Sequence, residues 1–258
     1  MRRERLLLVA ALWFAMTGSA WAVESGVDLR VAFYRWEEEL QPVGFIDPLE
    51  TGPMAFVGGW LDGAPMKTHP ALRLRADLRL LVGYVNYETA LIAAPTVPIN
   101  TNTSYFGSIQ EASVGWRIKR TRWSLEPFGA VAYRWWLRSI ESNSSAMGYD
   151  EWYQMVVLRL GMRSELAISD RAALYGEFSG DPTLWAKESI DGVLAGEVIR
   201  VENGKRLGWT IETGLRARQV DLGVFWQAVR LGESTVDQGF FQPPSDQDII
   251  GLKAAVSF

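Results

Sequence analysis

The sequence has no cysteine and a single histidine, His69, in 258 residues. The lack of cysteine excludes a disulfide framework and thiolate metal sites, and one histidine leaves little room for imidazole catalysis or ligation. No apolar run reaches the roughly 18 residues that a transmembrane helix needs. An excess of one charge is missing too. The 26 Lys and Arg face 30 Asp and Glu, for a net charge of −4, so nothing calls for a nucleic-acid partner. Hydrophobic residues at 48% and charged residues at 22% fit neither a disordered chain nor a helical membrane protein. What is present instead is aromatic: 12 Trp, 11 Phe and 8 Tyr.

The first segment reads as a targeting signal. Arg2, Arg3 and Arg5 form a positive start, Leu6 to Met16 an apolar stretch, and Ala20-Trp21-Ala22 a small-x-small cleavage site. We therefore expect residues 1–22 to be a cleaved signal peptide and residues 23–258 to be the folded domain. Export without cysteine fits an envelope protein that folds without disulfides.

Period-two alternation, the mark of a strand, runs through most of the remaining chain. Between residues 71 and 87, Leu72, Leu74, Ala76, Leu78, Leu80, Val82 and Tyr84 share one face, and Arg73, Arg75, Asp77 and Arg79 share the other. A helix would scatter these arginines around its circumference. The pattern recurs near residues 27–33, 106–118, 123–138, 152–166, 174–178, 207–216, 220–227 and 250–258. The Gly-rich segment 53–61 alternates poorly but completes a count of ten strands. Connections near residues 66–70, 121–122, 169–171 and 219 look short. Those near 38–52, 88–104, 139–151, 180–205 and 232–247 look long. Short turns at one end and long loops at the other predict an all-β, up-and-down antiparallel barrel of about ten strands.

The apolar stretches are about 10 residues long, enough for a tilted strand to cross a bilayer. Aromatic residues such as Trp116, Trp123, Trp135, Trp152, Trp209 and Trp226 gather near their ends, where interfacial girdles sit. The last strand carries Ile250, Leu252, Ala254, Val256 and finally Phe258 on one face. At these residues the chain resembles the Gram-negative outer-membrane β-barrel proteins, whose terminal aromatic residue is read by the barrel-assembly machinery. The resemblance implies a transmembrane barrel in contact with outer-membrane lipid and lipopolysaccharide, with Phe258, Val256 and Ala254 as the assembly signal.

With apolar faces outward, the expected lumen-lining residues are Arg73, Arg75, Asp77, Arg79, Glu111, Arg117, Glu126, Arg134, Arg138, Arg159, Arg163, Glu212 and Arg216. Ten strands lie near the eight-stranded size at which side chains just fill the interior. We therefore expect an ion-paired, narrow lumen under long acidic surface loops, and a structural or surface-interaction role. The alternative is a small passive pore in which the Arg73, Arg75 and Arg79 ladder favours small anionic solutes. The loop acids include Glu38, Glu50, Glu151 and Glu188. An enzyme is not expected. Omptin proteases also have about ten strands, but their site needs a histidine with aspartates on the extracellular rim, and His69 falls in a turn at the other end. No metal or cofactor is expected.

Overall fold

The computed structural model describes residues 23–39, 45–66, 68–91, 98–143, 148–194 and 197–258; the expected signal peptide lies outside them. The strand segments are β1 (Val23–Glu38), β2 (Phe45–Gly63), β3 (Leu72–Leu91), β4 (Pro98–Trp116), β5 (Ile118–Lys119), β6 (Trp123–Ile140) and β7 (Tyr149–Ser169). They continue as β8 (Ala172–Leu194), β9 (Glu197–Glu202), β10 (Gly204–Lys205), β11 (Leu207–Ala217), β12 (Val220–Gly232) and β13 (Ser245–Ser257). β5 extends β4 along β6, while β9 and β10 extend β11 between β8 and β12. The segments therefore form one closed, antiparallel, up-and-down barrel of 10 strands, with no helix among the described residues. β1 pairs with β13 from Gly26↔Ser257 to Glu38↔Ser245. The Phe258 N–H donates to the Ser25 carbonyl at 2.8 Å, finishing the seam.

Sequence alternation dictates the wall. On β1, Val27, Leu29, Val31 and Phe33 point outward and are 50–58% exposed, while Asp28 and Arg30 between them are buried. β3 does the same with Leu78, Leu80, Val82 and Tyr84, and β13 with Ile250 and Leu252. An uninterrupted apolar wall of this kind suits an apolar solvent, the band of lipid around a transmembrane barrel. Aromatic contacts edge it on the loop side. Phe106 meets Trp135 edge-on at 5.7 Å, and Trp135 stacks on Trp152 at 5.0 Å. Trp116, Trp123 and Phe258 lie toward the opposite edge, at the end that carries the short turns, the start of β1 and Phe258.

The strands are much longer than the band. At about 3.3 Å per residue and roughly 40° tilt, a 20-residue strand stands about 50 Å tall, against an apolar band of about 25 Å. Above the girdle the outer face turns polar, with Arg35 and Glu37 on β1 and Asn86 and Glu88 on β3 exposed. The inner face there turns apolar.

This corrects the sequence reading of loops at 38–52, 88–104, 139–151, 180–205 and 232–247. Parts of four of those segments are strand, the largest being residues 180–194 of β8, a strand of 23 residues. The fifth, 232–247, is a genuine connection over 233–244. The physical reason is that the outward-apolar rule holds only where lipid is outside. In β8 a bulge adds to it: Val156 pairs with Trp185 and Val157 with Thr183, so Leu184 is an extra residue and the alternation slips by one.

Candidate functional site

Two fillings occupy the barrel interior, one above the other. Toward the turn end, within the lipid band, the filling is ionic. Arg73 lies 2.7 Å from Asp62, Arg75 lies 2.8 Å from Asp77, and Arg79 lies 3.0 Å from Asp77 and 3.4 Å from Asp28. Arg117 and Arg163 hold Glu126 between them at 2.8 and 3.0 Å. Arg159 reaches Glu111 at 2.6 Å, Glu177 at 2.8 Å and Asp181 at 3.2 Å. Glu212 is shared by Arg30 and Lys253, and Arg216 grips Asp221 through two nitrogens at 2.8 and 2.9 Å. Arg75 and Arg79 meet Asp77 along β3 itself, whereas the other pairs cross from strand to strand and tie neighbouring or distant walls together.

They surround a cavity of about 190 Å³ lined by ten Lys and Arg and nine Asp and Glu side chains. So even a balance cancels most of the field that an arginine ladder alone would set up. At the apex, Arg134 is buried, with Asp181 as far as 3.7 Å away. With its amide oxygen turned inward, Gln227 accepts from both Arg134 Nη atoms at 2.7 and 2.8 Å.

Toward the loop end the filling is aromatic and aliphatic. Trp36 meets Tyr153 edge-on at 5.2 Å, Tyr34 meets Tyr105 at 5.2 Å, and Trp136 stacks on Tyr153 at 5.1 Å. Met54, Phe56, Leu81, Val85, Met155 and Phe225 complete one contiguous buried cluster. Between it and Arg134 there remains a cavity of about 30 Å³, room for about one or two waters.

Inside this layer sits Arg138, fully buried, its guanidinium 4.4 Å above the Trp36 ring. It lies 3.0 Å from Glu38 and 2.8 Å from Glu50, and also pairs with Glu151. Glu50 further accepts from Thr103 at 2.9 Å and from the Tyr105 hydroxyl. Glu188, beside them on β8, is fully buried. Burial pushes the Glu38 carboxyl up to about 7, with Arg138 opposing and the charges of Glu151 and Glu50 reinforcing the shift. Burial also raises Glu188 well above the carboxylate range, and Glu151 and Glu38 add to it.

No protein-family model matches the chain, and no curated protein matches its sequence. Solved structures do match its shape. The outer-membrane protease OmpT from Escherichia coli superposes with a TM-score of 0.63 at 8% identity, covering 94% of this chain and 99% of that one. The β-domain of the Bordetella autotransporter BrkA gives 0.44 at 12% identity, covering 91% and 99%. A major outer membrane protein from Thermus thermophilus gives 0.43 at 13%, covering 92% and 100%. The chain shares the closed-barrel fold of OmpT. At these identities the likeness fixes the fold and carries no activity across.

Of the barrel's thirteen expected lumen-lining residues, Arg73, Arg75, Asp77, Arg79, Glu111, Arg117, Glu126, Arg159, Arg163, Glu212 and Arg216 meet in the ionic layer. Arg134 caps that layer, and Arg138 lies apart from it beyond the aromatics. Ala254, Val256 and Phe258 face outward, Phe258 being 72% exposed. His69 sits in the β2–β3 turn, where its N–H donates to the Met66 carbonyl at 3.1 Å. Among the described residues, no group of three His, Asp or Glu side chains is arranged to hold a metal ion.

The largest departure concerns acids read as loop charge. Glu38, Glu50, Glu151 and Glu188 are strand residues buried inside the barrel, because the strands continue past the girdle while the outer face turns polar. Sequence reasoning also missed the inward aromatics Tyr34, Trp36, Tyr105, Trp136 and Tyr153. Their signal was present in the adjacent pairs Trp135-Trp136 and Trp152-Tyr153, where one ring of each pair must face inward.

Proposed function

We infer that this is an integral outer-membrane barrel that conducts no ions, with its termini in the periplasm and its tall, polar-walled half outside the cell. Its role is structural or surface-interacting. The observation that carries this reading is the aromatic layer of Tyr34, Trp36, Tyr105, Trp136 and Tyr153, which fills the cross-section above the ionic layer. An ion would have to part close-packed rings to pass. The ionic cavity below supports the same reading, since the Arg73, Arg75 and Arg79 guanidinia are already matched by carboxylates. The apolar wall supports outer-membrane lipid and lipopolysaccharide as its surroundings. The outward Phe258 supports recognition by the barrel-assembly machinery. Protease activity is a property of OmpT. The fold alone does not transfer it, and the lone histidine here stands at the turn end.

The test is a planar-bilayer recording of the purified barrel. We expect no unitary steps from the wild type or from Arg75→Ala, because the block is aromatic. Stepwise currents with anion preference, altered by Arg75→Ala, would establish the pore instead.

A further inference from the structure

The turn end of the barrel carries charge that the ionic layer does not use. Arg120 and Arg122 stand in the turn between β5 and β6, Arg171 between β7 and β8, and Arg218 between β11 and β12. All four are exposed, and none makes an ion pair among the described residues. The acids on the inner side of this rim are already held: Glu126 by Arg117, and Glu165 and Asp221 by Arg216. Asp170 is the single exposed acid in these three turns.

Backbone hydrogen bonds set the turns side by side. The Ala167 N–H donates to the Arg122 carbonyl at 2.7 Å, and the Arg218 N–H to the Arg171 carbonyl at 2.9 Å. The arginines therefore follow one another along an arc from β5 round to β12. The rest of the rim differs. At this end β13, β1 and β2 bring the exposed Glu24 and, among the described residues, no exposed Lys or Arg. Arg218 also holds its place against backbone preference. Its φ of 56° lies in the left-handed region, where Gly or Asn costs less.

The depth of the arc points to its partner. Arg122 directly precedes Trp123, Arg120 follows Ile118 by two residues, Arg171 follows Ile168 by three, and Arg218 precedes Val220 by two. Trp123, Ile118, Ile168 and Val220 are all exposed on the lipid face. The guanidinia thus stand at the girdle, the level at which a phospholipid carries its phosphodiester. A guanidinium grips phosphate oxygens in pairs, and its stem lies along apolar surface without cost to the charged head.

We propose that Arg120, Arg122, Arg171 and Arg218 form a one-sided docking surface for anionic phospholipid headgroups of the phosphatidylglycerol type in the inner leaflet. The leaflet rests on the orientation inferred above, with the short turns in the periplasm. A cell-wall polymer also offers anionic groups there, but arginines in such short turns flank the apolar band and do not project far beyond it. Lipid is therefore the partner that the arc fits, and it gathers on the β5-to-β12 side of the barrel alone.

The experiment uses the mature barrel refolded in detergent micelles that contain equal amounts of phosphatidylglycerol and phosphatidylcholine. Native mass spectrometry counts the lipids that stay bound. The wild type should retain phosphatidylglycerol over phosphatidylcholine by about tenfold or more at low salt. That preference should fall severalfold when salt is raised to about 0.5 M. Arg120→Gln, Arg122→Gln, Arg171→Gln and Arg218→Gln together should abolish it, whereas the loop-end control, Arg35→Gln with Arg200→Gln, should keep it. The salt readout stands even if the fourfold variant fails to fold. Equal retention of the two lipids, a preference indifferent to salt, or one kept in the fourfold variant would each overturn the proposal. So would arginine-dependent pelleting with purified peptidoglycan in the absence of any lipid preference. Orientation is read separately, by labelling Thr121→Cys in intact cells with a membrane-impermeant maleimide, since the chain has no cysteine of its own. Protection until the outer membrane is permeabilised is expected. Labelling in intact cells would overturn the orientation and the leaflet with it; protection with no lipid preference would overturn the arc alone.

Discussion

Replacing Arg159 with alanine tests whether the ionic layer holds the barrel walls together. Arg159 is 6% exposed and makes contacts from β7 to β4 and β8. It is not equally needed by its partners. Glu177 keeps Arg163 at 2.9 Å, and Asp181 keeps Ser179 at 2.7 Å and Thr210 at 2.6 Å. Glu111 has no other ion pair among the described residues. The loss is therefore that of one buried carboxylate left alone, about 3 kcal/mol, at the low end of the range for a broken buried pair. Arg35→Ala is the control. Its only pair among the described residues, with Glu37, is about half exposed on both sides, and such pairs contribute roughly 0–1 kcal/mol. Urea unfolding of the refolded barrel, followed by tryptophan fluorescence and by heat-modifiable gel migration, measures both. The double variant Arg159→Met with Glu111→Gln should recover most of the loss, because it removes the orphaned charge along with its partner. An Arg159→Ala barrel within 1 kcal/mol of wild type, or a double variant no better than the single, would refute the reasoning.

Two other perturbations probe assembly and packing. Deleting Phe258, or replacing it with a charged residue, should sharply lower the amount of heat-modifiable barrel recovered from outer membranes; normal levels would show that the terminal strand is not read through this residue. Gly107→Ala should cost about 2–3 kcal/mol in the same urea assay, because the new Cβ would stand 2.3 Å from the Trp135 carbonyl oxygen and 2.7 Å from the Trp136 Cβ. An unchanged midpoint would mean that β4 and β6 part easily.

How far the sequence could be read follows from what lies outside the wall. Where lipid faces a strand, outward positions must be apolar and inward ones are free to be charged. The alternation of Leu72 to Tyr84 and of Ile250 to Phe258 could therefore be read directly. Above the girdle that constraint disappears. Outward Arg35, Asn86 and Glu88 alternate with inward Tyr34, Val85 and Tyr87, a pattern that looks irregular when the apolar face is assumed to point outward. Glycine hid β2 in a similar way. Gly58 and Gly59 break its alternation, yet Gly58 is where the Arg79 side chain and Asp28 approach too closely for a Cβ, at 2.6 and 2.8 Å. The acid cluster was invisible for a different reason. Glu38, Glu50, Glu151 and Glu188 are separated by up to 150 residues, and only barrel closure brings the first three to one guanidinium with Glu188 nearby.

The pairing register bears on how such a barrel crosses the lipid it ends up in. Arg138 and Glu151 are direct cross-strand partners on β6 and β7, so that hairpin carries a counterion for Arg138, while its Arg134 and Arg159 find carboxylates only on β4 and β8. The β1–β2 hairpin has no such provision. Its inward acids Glu38 and Glu50 lie opposite no cation in its own register, and they gain one only when β6 closes beside them. Moving an unpaired carboxylate through hydrocarbon is costly, whereas a protonated or paired one moves far more readily. The hairpins are thus unequal travellers, each waiting on different neighbours: Arg159 of the central one on β4 and β8, and the acids of the N-terminal one on protons or on Arg138.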